Sequence, residues 1–119
     1  MTFLLDDPSP KVRLALAQAL ATSPEAPRDI ILALAEDQPE IACTVIACSS
    51  VLEDTDLVDL VGRGHGFTRA IIAARPDLPR GVCAAIAEVG EEAEIVLLLE
   101  NETAGINRTS LNRICERFG

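Results

Sequence analysis

The chain has 119 residues and a mass of 12.7 kDa, the length of a single domain spanning 1–119, and at 49% hydrophobic it is too apolar to be disordered. A net charge of −9 and a sequence pI near 4.4 argue against a nucleic-acid partner, because phosphate calls for a basic surface. No apolar run reaches the roughly 18 residues of a membrane-spanning helix. The opening MTFLLDDPSPKVR has no basic leader followed by an apolar segment, so a cytoplasmic protein without a membrane partner is expected.

Helical spacing dominates from the first element. Val12, Ala15, Leu16, Ala19 and Leu20 form one stripe, and Leu14, Ala17 and Ala21 extend it. The first helix is therefore expected to be packed on more than one side. Further stripes follow: Ile30, Ile31, Leu34 and Ala35; Ile41, Val45 and Cys48; Leu57, Leu60 and Val61; Phe67, Ala70, Ile71 and Ala74. The last three are Val82, Ala85, Ile86 and Val89; Ile95, Leu98 and Leu99; and Ile106, Leu111, Ile114 and Phe118. Prolines fall between the stripes or in first turns, where they are tolerated. Ser9, Ser23, Asp37, Asp54 and Asp77 are candidate N-caps. Eight helices are predicted, near 10–21, 26–36, 39–48, 54–62, 66–74, 78–89, 92–100 and 107–117. Strand alternation and tight-turn dipeptides are missing.

The helices come in pairs. LLDDPSPKVRLALA aligns with LAEDQPEIACTVIA, with GHGFTRAIIA and Glu94-Ile95 in the next two slots. The interval is about 26 to 30 residues, one helical hairpin, which is too small to bury its own apolar face and so must stack on its neighbours.

The four cysteines, Cys43, Cys48, Cys83 and Cys115, form no CxxC pair and there is one histidine, so a metal site is not expected. Their apolar surroundings suggest small buried side chains. Any nucleophile–histidine dyad would have to use His65, which lies in the loop Gly62–Gly66 and is expected to be exposed. No catalytic motif is found, and a non-enzymatic protein without a cofactor is expected.

Charge is uneven. Seven acids and no base lie between Glu36 and Asp59, and six acids and no base between Glu88 and Glu102. Between these runs stand Arg63, Arg69, Arg75 and Arg80. Arg63, His65 and Arg69 flank a helix N-terminus that could receive an anion. Arg75 and Arg80 lie beyond the far end, about 13 Å away at 1.5 Å per residue, so all four arginines cannot hold one small phosphate. An alternative assigns these arginines to surface pairs with acids such as Asp59 or Asp77.

The phrase DDPSPKVRLALAQAL looks like the inner helix of a HEAT-type repeat. The longer string LLDDPSPKVRLALAQALA…APRDIILALAEDQPEIA…SSVLEDTDLVDLV…RAIIAARPDL resembles the bacterial, mainly alphaproteobacterial, domain of unknown function 2336, from about Leu4 to Phe118. The resemblance implies an all-α, HEAT-like α-α superhelix, a right-handed solenoid of about four short hairpins. It implies a binding or scaffolding role, no catalytic residues, and a chain longer than this one with a helix before the LLDDPSP turn.

The expectation is a non-catalytic protein-binding module that recognises a protein partner through Arg13, Thr44 and Arg69 on the inner helices. Arg63, His65, Arg75 and Arg80 are the further candidates. The alternative is a small-anion or nucleotide sensor at Gly62–Arg75. Self-association through an incomplete first repeat, giving a homodimer, is a third possibility.

Overall fold

Proline and short polar side chains set the helix starts. In the computed structural model, which describes residues 9–119, the Ser9 hydroxyl accepts the Val12 N–H at 3.4 Å and Pro10 occupies the first turn of α1 (Pro10–Leu20). α2 (Arg28–Ala35) follows Pro27, and α3 (Pro39–Cys48) opens on a proline whose missing N–H costs nothing there. α4 (Asp54–Arg63) carries Asp54 and Asp56 in its first turn and Arg63 in its last, which matches the helix dipole at both ends. α5 (Gly66–Ala73), α6 (Arg80–Val89) and α7 (Glu92–Glu100) come next. α8 (Arg108–Phe118) is capped by Asn107, whose side chain accepts the Ser110 N–H at 2.9 Å.

All eight predicted helices are present, and among the described residues there is no strand. Of the predicted N-caps only Ser9 acts as one. Asp37 stands one residue before the cap Gln38, and Asp54 is already helical. Asp77 takes a left-handed φ of 55°, which a short polar side chain tolerates, and donates its N–H to Thr103 Oγ1 at 2.9 Å. The part of the LLDDPSP turn before Ser9, with the residues ahead of it, lies outside the described residues.

The chain packs as two compact units divided between Glu53 and Asp54. In the first, α1 and α2 both pack on α3. Its core is aliphatic: Ile30, Ile31, Leu34, Ile41, Val45 and Ile46. In the second, α4 packs on α6 and α6 on α8, while α5 packs on α7 and consecutive helices touch from α4 to α7. Its core holds Leu57, Leu60, Val61, Ile72, Val82, Ile86, Ile95 and Leu98. Each fully buried Ile or Leu contributes about 1.5–3 kcal/mol. No aromatic side chain is buried among the described residues, and the helices pack through Ala, Val, Ile and Leu.

Two packing expectations need correction. α1 buries only Ala17, and Val12 is exposed, so its apolar composition all round does not enclose it. Of the cysteines only Cys83 is buried; Cys43, Cys48 and Cys115 are exposed. In α3 the buried face is Ile41, Ala42, Val45 and Ile46, which leaves Cys43 on the opposite side, and Cys48 ends the helix. Burial pushes the Cys83 thiol up from its ordinary range, against backbone hydrogen bonds from Gly105 and Cys83. Its thiol donates to the Leu78 carbonyl at 3.8 Å.

Candidate functional site

The fourth residue of α5 is Arg69, and its guanidinium is turned inward. Nε donates to Glu94 Oε1 at 2.7 Å and Nη1 to the Gly64 carbonyl at 3.0 Å, while Nη2 stands 3.8 Å from Glu91 Oε1. The Arg69 side chain is 13% exposed and that of Glu94 7%. Glu94 also receives the Glu91 N–H at 3.0 Å, and the two glutamates form a reciprocal capping box at the start of α7. Burial works against the Glu94 charge. The Glu91 N–H and the Arg69 hydrogen bond and charge outweigh it, and the carboxyl is held below its ordinary range.

The same carboxylate lies beside the first turn of α5, since a Cβ placed on Gly66 would stand 3.5 Å from Glu94 Oε2. The helix N-terminus expected to receive an external anion therefore faces an internal one. The approach is tight at Gly64, where an added Cβ would lie 2.5 Å from the Leu60 carbonyl oxygen and 2.9 Å from Thr68 Cβ. Glycine is thus a steric requirement there, and the close turn is what presents the Gly64 carbonyl to Arg69.

Arg13 repeats the arrangement in the first unit. It is the fourth residue of α1, and its Nε and Nη2 donate to the two Asp37 oxygens at 2.8 and 3.4 Å. Both side chains are 13% exposed. Asp37 also accepts the Gln38 N–H at 2.7 Å. Arg13 and Arg69 thus each join a helix to the start of the next helix but one.

The remaining candidates are distributed differently. Arg63 pairs with Asp59, one turn earlier in α4, at 2.7 Å on the surface. His65 is exposed and stacks on Phe67 with ring centroids 6.1 Å apart. Arg75 is half-buried beyond the end of α5, and its carbonyl accepts from Asn101 at 2.7 Å. Arg80 is exposed at the first position of α6 and makes no ion pair among the described residues. Thr44 is half-buried, with its hydroxyl donating to the Glu40 carbonyl at 2.9 Å.

Sequence reasoning missed Glu91, Glu94 and Asn101. The Glu-x-x-Glu spacing before the apolar run Ile95–Leu99 was the available signal for the first two. Asn101 had none: its amide donates to the Ala73 and Arg75 carbonyls, both at 2.7 Å, and its oxygen accepts from Thr103. No group of histidine, cysteine or acidic side chains suited to a metal ion occurs among the described residues. None of the described helices is long and apolar enough to cross a membrane.

The family described as "Uncharacterised protein conserved in bacteria", the domain of unknown function 2336, matches over residues 41–119. The matched span begins inside α3, so the Asp-Pro and Val-Arg phrases that carried the likeness to a HEAT-type repeat precede it. No curated protein and no solved structure matches the chain.

Proposed function

The chain belongs to this bacterial family of domain of unknown function 2336, and from that premise we propose that it is a non-catalytic protein-binding module with HEAT-like, right-handed superhelical stacking of short hairpins. The observation that carries the reading is the packing order in the second unit, where α4, α6 and α8 stack in succession and α5 stacks on α7. Hairpins stacked this way present rows of parallel helices, and such surfaces bind segments of other proteins. The partner is a cytoplasmic protein. Arg63, His65 and Arg80 are the candidate residues whose side chains are exposed for such a contact.

Arg13 and Arg69 serve in this reading as ties that fix the helices, because an external carboxylate would have to displace Asp37 or Glu94. The sensor alternative at Gly62–Arg75 meets the same obstacle at its central cation.

The test is reconstitution. The full chain captures proteins from a lysate of a bacterium that encodes it, and each candidate is purified and titrated against the chain by calorimetry. A saturable one-to-one complex supports the reading. Failure of every purified candidate to bind, combined with a rise in melting temperature on adding a phosphate-bearing ligand, overturns it in favour of the sensor.

A further inference from the structure

We propose that the outward face of α7 docks a basic amphipathic helix of a partner protein; this rests on the protein-binding reading above and adds the place and the chemistry. α7 buries Glu94, Ile95 and Leu98. It leaves Val96, Leu97 and Leu99 exposed at 48%, 37% and 49%. At 100° per residue, Glu92, Val96 and Glu100 form one ridge, with Ala93 and Leu97 along one side and Leu99 on the other. The face is therefore apolar at its centre with a carboxylate at each end.

Its charge selects the occupant. Glu92, Glu100 and Glu102 are exposed, make no ion pair among the described residues, and stand in a stretch with no lysine or arginine from Glu88 to Glu102. The last turn of α7 has no basic residue, so Glu100 sits at the negative end of the helix dipole, where an incoming cation is favoured. There the face runs into an open depression of about 310 Å³ lined by Ala74, Leu97, Glu100, Asn101, Glu102 and Thr103. Ala74 and Leu97 supply apolar lining and the two glutamates charge, a fit for the stem and head of a lysine or arginine. A second copy of the same face would bring Glu92 and Glu100 against like charges. A helix with apolar anchors at i, i+3, i+4 and i+7 and basic flanks meets both requirements.

The test uses the full chain and two synthetic peptides of about 18 residues and identical Leu/Lys composition, one arranged as an amphipathic helix and one scrambled. Fluorescence anisotropy is expected to show the amphipathic peptide binding at least about tenfold more tightly. Val96→Gln/Leu99→Gln is expected to weaken it about tenfold, and Glu100→Gln/Glu102→Gln several-fold, with melting temperatures unchanged because all four side chains are exposed. The control Leu111→Gln/Phe118→Gln, on the exposed apolar side of α8, is expected to leave binding intact. Equal affinity for the two peptides, or binding indifferent to Val96→Gln/Leu99→Gln, overturns the proposal. A reconstituted natural partner that ignores Val96→Gln/Leu99→Gln also overturns this surface while leaving the protein-binding reading standing; absence of any reconstituted partner strikes that reading instead.

Discussion

Arg13 and Arg69 hold the same place in two helices, the fourth residue of α1 and of α5, and each reaches a carboxylate 24 or 25 residues further on. The acids differ. Asp37 stands outside α3, just before its cap, while Glu94 stands inside the first turn of α7 and reaches back. A short side chain outside the helix and a longer one within it arrive at equivalent positions. In both units a charge pair at this place links one helix to the start of the next but one. α3 and α7 carry Ala42 and Ile95 at the fourth position, so the tie occurs once in each unit.

The comparison can be broken most forcefully at Arg69. Arg69→Ala leaves Glu94 buried with its charge uncompensated and the Gly64 carbonyl without its donor. The expected loss is about 3 kcal/mol of unfolding free energy by urea titration. Arg13→Ala is expected to cost less, about 2 kcal/mol by the same measurement, because Asp37 lies outside its helix and is somewhat more exposed than Glu94. Equal losses would show that the turn carbonyl adds nothing. Gly64→Ala, which forces a Cβ against Leu60 and Thr68, is expected to cost about 1–3 kcal/mol while leaving Arg69 and Glu94 in place.

Acid titration sharpens the contrast. The folded-state pKa of Glu94 lies below its ordinary value of 4.5, so the stability it contributes is complete above that value and is lost as pH falls through the folded pKa. Glu94→Gln is expected to flatten the dependence of stability on pH below 4.5, as followed by circular dichroism melting. The smallest effect is expected at the exposed Arg63–Asp59 pair, where Arg63→Ala should change stability by no more than about 0.5 kcal/mol.

Much of this fold was legible in the residues. Prolines at 10 and 39 and the interruptions at Gly64 and Gly90 mark helix ends, and each observed boundary falls within two residues of the predicted one. Local rules suffice there, since proline, glycine and apolar spacing act over one or two turns. The arginine partners were only half legible. Asp59 could be read as the mate of Arg63 because both lie one turn apart on one helix. Asp77 was the wrong mate for the others: its backbone turns left-handed and binds Thr103, while Arg69 finds its acid on α7. Cys43, Cys48 and Cys115 were misread for a related reason, because apolar neighbours in sequence do not say which face of a helix is covered.

The residues alone establish that the described chain is helical, where each helix begins and ends to within two residues, and that its interval of 26 to 29 residues from α1 to α3, α5 and α7 repeats. Apolar periodicity and the helix-breaking of proline and glycine are local, so they are written residue by residue. Which charges are ties and which are surface emerges from the packing of the helices. That depends on which helix lies against which, and the packing order turns Arg69 toward Glu94 while leaving Val96 and Leu99 uncovered.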